Sequence, residues 1–132
     1  MIKKLEIKTN SRSEIIDITD KIQKIISDSK IKSGICIIYV PHTTAGITVN
    51  ENYDPSVRTD ILDYLEKIAP PSARYKHTEG NADSHIKTSV VGSSATLVIE
   101  DGKILLGNWQ GIMFCEFDGP RTRKLVIKLL ED

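Results

Sequence analysis

The sequence predicts an α+β fold of packed, mostly antiparallel β-sheets in a sandwich-like arrangement with two or three helices. Three observations carry that prediction. Short β-branched segments recur along the chain, seven or so in all, and several alternate apolar and polar residues with the period of a half-buried strand. Two or three amphipathic helical stretches accompany these strands, which together give α+β. Tight turn chemistry, above all Asp101-Gly102, joins neighbouring strands through connections that only antiparallel pairs can use. At 132 residues the chain reads as one domain over its whole length, large enough to bury a core without disulfides or a structural metal.

Each element has its own local reason. "KKLEIKT" alternates with period two, and "EIIDIT" is a second short strand. Thr19 offers an N-cap for "DKIQKIISDSK", where Ile22, Ile25 and Ile26 share one helical face. "SGICIIYV" is apolar and β-branched throughout, as a central strand buried on both faces would be, and Pro41 ends it. "GITVNE" reads as the next strand. Asp54-Pro55 then starts a helix with a capping carboxylate and a proline at the first helical position. That helix, "PSVRTDILDYLEKIA", carries an apolar stripe of Val57, Ile61, Leu62, Leu65 and Ile68. "HIKTSVVG" fits a short helix, "ATLVIEDGKILLG" a hairpin, and "WQGIMFCEF" and "TRKLVIKLL" two further strands.

Composition narrows the function classes. Lys plus Arg equals Asp plus Glu, at 18 each, so no overall charge favours nucleic acid or a membrane surface. The alternating N-terminus is not a signal peptide, and no apolar run approaches the roughly 18 residues of a membrane span. Cys36 and Cys115 are isolated within apolar runs and read as buried free thiols; the cytoplasm is the expected location.

Chemistry concentrates in three polar stretches. "HTEGNADSH" places His77 and His85 eight residues apart around Asn81 and Asp83, and the only other histidine, His42, opens "HTTAGITVNENYD". Imidazole with carboxylates serves metal binding or proton transfer near neutral pH, and three imidazoles with an open position would make a catalytic zinc site. Local hydrogen bonding of each ring is the competing account. Glu51, just past a strand end, suits a metal ligand or general base, and Asp54 suits a helix cap. Asn81 and Asp83 after Gly80 fit catalysis and a tight turn equally. In "EFDGPRTRK", Arg121, Arg123 and Lys124 follow a Gly119-Pro120 turn; guanidinium forks chelate phosphate oxygens, which suggests a phosphorylated small molecule, against a solvated hairpin.

Together these stretches resemble the YjbQ family of small proteins, known as secondary thiamine-phosphate synthases. The resemblance rests on "HTTAGITVNENYDPSV", "HTEGNADSHIKTSVVGSS" and "SATLVIEDGKILLGNWQGI", with Asn108 where the signature has threonine, and it covers essentially the whole chain. It implies packed antiparallel sheets, assembly as a homotrimer, and a bound divalent metal held through His42, His77 and His85, where imidazole favours a zinc-like ion; a departing diphosphate would call instead for magnesium, for which Glu51 and Asp83 are the candidate ligands. It further implies a transferase joining a pyrimidine methyl diphosphate to a thiazole phosphate, possibly as a secondary activity. A metal-dependent hydrolase of a small phosphorylated or acyl substrate, or a non-enzymatic metabolite-binding protein, are the alternatives that the residues leave open.

Overall fold

The alternating and β-branched segments pair into two antiparallel sheets. The computed structural model describes residues 1–132. In chain order the elements are β1 (Ile2–Lys8), β2 (Glu14–Asp17), α1 (Thr19–Ser29), β3 (Gly34–Tyr39), β4 (Ala45–Glu51), α2 (Pro55–Ile68), α3 (Ala82–Val91), β5 (Ser94–Glu100), β6 (Lys103–Ile104), β7 (Gln110–Glu116) and β8 (Thr122–Glu131). One sheet has the order β1-β8-β3-β5-β6 and the other β2-β7-β4, and every pairing is antiparallel. This is the α+β architecture that the sequence predicts.

The larger core lies between the sheets and takes Ile38, Leu125 and Ile127 from one, Ile47, Ile112 and Phe114 from the other, and Ile22 and Ile26 from α1. A smaller core joins Met113, Cys115 and Phe117 to Leu65 of α2. Alternate residues of β7 therefore enter different cores. This strand, rather than β3, is buried on both faces. β3 buries Cys36 and Ile38 inward but turns Ile35 and Tyr39 to the outside, so the apolar run around Cys36 does not mark a strand covered on two sides.

Asp101 and Gly102 take φ of +52° and +75° in the β5–β6 turn, as the Asp-Gly pair predicts. Asp54 caps α2, its Oδ1 accepting from the Ser56 N–H at 2.9 Å. Thr19 is the first residue of α1 rather than its cap; the Asp17 carboxylate accepts both its N–H and its hydroxyl, at 2.9 and 2.6 Å. α3 begins at Ala82, three residues before the apolar segment that predicts it. Both thiols are free and buried, and burial pushes Cys36 up to about 11 and Cys115 up to about 12. No helix is long and apolar enough to cross a membrane.

Candidate functional site

Three hollows receive the polar stretches. The first, of about 470 Å³, is walled by Tyr39, Pro41, His42, Thr43, Thr44, Arg121 and Arg123, from the β3–β4 connection and the start of β8. His42 Nε2 accepts the Lys124 backbone N–H at 2.9 Å, so the neutral ring carries its proton on Nδ1 and keeps a donor in reserve. Desolvation, reinforced by the nearby charge of Arg123, holds the His42 pKa below its ordinary value and favours that neutral form. No carboxylate lines this hollow.

Beneath it lies a buried ion pair. The Arg123 guanidinium donates to both Glu116 oxygens, through Nε at 2.8 Å and through Nη2, and Nη2 also reaches Thr44 Oγ1 at 2.8 Å. Thr9 Oγ1 and the Asp118 N–H donate to the same carboxylate at 2.8 and 3.0 Å. Burial works to raise the Glu116 pKa, but these hydrogen bonds outweigh it and the group stays ionised, with its pKa lowered. Arg123 is thus largely committed within the protein, and only Nη1 lacks an internal acceptor.

The trio Arg121, Arg123 and Lys124 does not act as one cluster. Adjacent strand residues point to opposite faces, so buried Arg123 and exposed Lys124 diverge. Lys124 meets His42 through its backbone, and its side chain lies outside the hollow's walls. Arg121, half exposed, is the more accessible guanidinium, and it is paired with Asp118 through the carbonyl at 2.8 Å and the carboxylate at 3.1 Å.

The second hollow, of about 350 Å³, holds His77 and His85 with Tyr75, Lys76, Ala82 and Ile86. The two rings stand edge to face with centroids 5.1 Å apart. Gly80 at φ +90° turns the chain into α3, which carries His85 in its first turn. Asn81 links the two hollows: its Nδ2 donates to Asp118 Oδ2 at 2.8 Å, the same oxygen that receives Arg121. Asn81 Oδ1 is buried without a partner.

Asp83 is spoken for. It is 1% exposed, accepts both prongs of Arg12 at 3.0 and 3.1 Å, and accepts Lys87 Nζ at 2.9 Å. Burial alone would raise its pKa, yet the bonds from Arg12 and Lys87 prevail and lower it. Lys87 also holds Glu66 of α2 at 2.5 Å. Asp83 thus ties α3 to the β1–β2 connection, and Lys87 ties it to α2, so this carboxylate does not offer oxygens to a metal or a proton to a substrate.

Glu51 lies in the third hollow with Tyr53, Asp54, Pro55 and Trp109. It closes β4, whereas His42 precedes that strand. Six residue steps at about 3.3 Å put the strand ends roughly 20 Å apart, so the two residues do not share a site within one protomer.

The expected metal set does not assemble in one chain either. His77 and His85 are neighbours, but His42 is tied to β8 in a separate hollow, Asp83 is neutralised, and no group of three His, Cys, Asp or Glu side chains is arranged to hold an ion. The residues of one protomer therefore fit neither a three-histidine zinc site nor a magnesium site built on Glu51 and Asp83.

Sequence reasoning passed over Thr43, Thr44 and Tyr39, which wall the first hollow, and Glu116, Asp118 and Thr9, which organise its arginines. The acids of "EFD", three to seven residues from the arginines, were the available signal for the latter group.

The geometry has close counterparts among known proteins. A sequence model of the family described as "UPF0047 protein YjbQ-like" matches residues 3–132. UPF0047 protein MJ1081 of Methanocaldococcus jannaschii is 57% identical over 132 residues, spanning 100% of this chain and 96% of that protein. UPF0047 protein YugU of Bacillus subtilis is 49% identical over 131 residues, spanning 98% of this chain and 99% of its own. A crystal structure of a YjbQ/UPF0047 family protein from Clostridium acetobutylicum matches with a TM-score of 0.94 at 48% identity, covering 97% of this chain and 99% of that one. With matches that run from residue 3 to the C-terminus in sequence and across both sheets in structure, this chain belongs to the YjbQ-like UPF0047 family.

Proposed function

We propose that this chain is a transferase of the thiamine-phosphate synthase type, which grips a phosphorylated small metabolite in the His42–Arg121 hollow. The observation that carries the reading is the composition of that hollow: Arg121, the free edge of Arg123, the Thr43 and Thr44 hydroxyls and the His42 ring, with no carboxylate among its walls. Guanidinium and hydroxyl donors match phosphate oxygens. In the reaction, the bond between the pyrimidine methylene and diphosphate oxygen breaks, and its electron pair leaves with the diphosphate. The thiazole nitrogen then closes the new C–N bond. Negative charge grows on the departing diphosphate, which is where fixed donors lower the barrier. Glu116 and Asp118 act by positioning, holding the two guanidinium groups in place.

Purified protein supplied with both thiamine precursors and magnesium is expected to release diphosphate and form thiamine phosphate. Arg121→Ala should lower turnover by about a hundredfold, the scale of removing one transition-state donor. Product formation that is absent, or indifferent to Arg121, overturns the reading.

Assembly as a homotrimer belongs to the same proposal. The outer face of the five-stranded sheet supports it: Ile35 of β3 stands between Val98 of β5 and Leu130 of β8, all exposed, with Tyr39 farther along β3. A contiguous apolar surface of this kind is one that a second copy can cover.

A further inference from the structure

At the end of β4 remote from His42, the chain holds two aromatic rings in solvent. Tyr53 is 74% and Trp109 57% exposed, and their centroids lie 4.8 Å apart with the planes tilted by 59°. Trp109 takes φ of +72°, a left-handed conformation that bulky residues adopt only where their surroundings impose it. Here the surroundings do so: the Trp109 carbonyl accepts the Asn52 N–H at 2.8 Å, and the Gln110 side chain accepts the Gly107 N–H at 2.7 Å. Gly111 lies so close to Asn52 that a Cβ would come within 2.3 Å of its Nδ2. The backbone on both sides of Trp109 is therefore fixed, and the indole is displayed rather than folded inward.

The rings wall an open hollow of about 550 Å³ whose remaining lining is Glu51, Asp54 and Pro55, with no lysine or arginine. Glu51 Oε2 accepts the Asp54 N–H at 3.3 Å, and Asp54 Oδ1 accepts the Ser56 N–H and hydroxyl. The second oxygen of each carboxylate has no donor in the protein. The first-turn amides of α2 offer nothing to an anion, because Pro55 has none, Ser56 is bonded to Asp54 Oδ1, and Val57 to the Asp54 carbonyl. An anion meets like charge here. A neutral ring gains contact with the aromatic faces but nothing from the carboxylates. A cation with an apolar rim gains from both, through the π faces and through direct charge attraction.

We propose that the Tyr53–Trp109 corner, closed by Glu51 and Asp54, is a binding site for an alkylated organic cation, such as a quaternary ammonium or a cationic heterocycle. Within one protomer about 20 Å of β4 separates this corner from the His42 hollow, so one small ligand does not touch both in the same chain.

Trp109 is the only tryptophan, so its fluorescence reports on the corner directly. The probe is choline, titrated into the full chain at constant ionic strength, alongside its neutral isostere in which a tert-butyl group replaces trimethylammonium. Choline is expected to change the emission saturably, and the neutral isostere to bind at least about fivefold more weakly. Glu51→Gln and Tyr53→Ala should each weaken choline binding by about fivefold; Tyr53 is 74% exposed, and glutamine keeps the shape of the half-buried Glu51 and an oxygen for the Asp54 N–H, so the fold is retained. Equal binding of the neutral isostere, an unchanged affinity in Glu51→Gln, or no saturation up to roughly 100 mM choline overturns the site.

Discussion

Buried charge is the decisive feature at the scale of single residues. Asp83 and Glu116 are nearly inaccessible acids, and each remains ionised because basic side chains and hydroxyl or amide donors close around it. Removing one partner leaves the others uncompensated. Asp83→Ala strands Lys87 beside Glu66 alone and frees Arg12, so it should cost about 3 kcal/mol in denaturant unfolding. The same carboxylates set the response to acid. Their folded pKa values lie below the unfolded ones, so between the two the unfolded chain binds more protons and stability rises with pH. Their contribution is complete above the ordinary carboxylate range and is lost as pH falls through the depressed folded values. Asp83→Ala should therefore unfold with a shallower pH dependence at the acid end, and an unchanged slope would remove Asp83 from that role. In the sequence Asp83 looks like a candidate base, because nothing local shows that Arg12, 71 residues away, will reach it.

Close backbone approach governs the elements. Gly46 in β4 passes so near the end of α3 that a Cβ would stand 2.5 Å from the Gly92 carbonyl oxygen and 3.2 Å from Val91 Cγ1. That carbonyl accepts the Ile47 N–H at 3.1 Å, which fastens α3 to the small sheet. Gly46→Ala has to push the helix away, and we expect it to lower stability by about 2 kcal/mol and to perturb the amide signals of α3, where His85 sits, more than those of the larger sheet. A neutral substitution with an undisturbed α3 would contradict this account. Most elements were legible in advance because their causes are local: the period of β1, the Asp54-Pro55 start of α2, the Asp-Gly turn after β5. Where the reading missed, as with the start of α3 and the two-sided burial of β7, the cause is packing between segments distant in sequence. The divergence of Arg123 and Lys124 was legible, since strand alternation alone separates neighbours.

For the whole molecule, the question is what covers the larger sheet. Its inner face is sealed by the smaller sheet and α1, whereas Ile35, Val98 and Leu130 of three neighbouring strands remain outside, around β3, whose composition suits burial on both faces. Assembly reconciles the two, since a face open in one chain can be closed by another. Under the homotrimer proposal, light scattering should give three times the 14.7 kDa chain mass. Combining Ile35→Lys with Val98→Glu should yield a folded monomer, because charges on an exposed face cost little until another copy must bury them. A wild-type mass of 14.7 kDa in dilute solution would dispose of the trimer.

By itself the sequence determined most of the strands, helices and turns, and which three stretches carry chemistry. Those properties depend on periodicity, capping and backbone preference over a few neighbouring residues. Only the tertiary structure decided which polar groups are free to act. Pairing β8 with β3 ties His42 to Lys124 and away from His77 and His85; packing α3 against the β1–β2 connection commits Asp83 to Arg12, beside Lys87 of its own helix; the register of β4 on β7 brings Glu51 and Trp109 to one end of the small sheet. A side chain's chemistry is spent or spared according to which distant charge it meets, and contacts of that range are set when the sheets and helices pack.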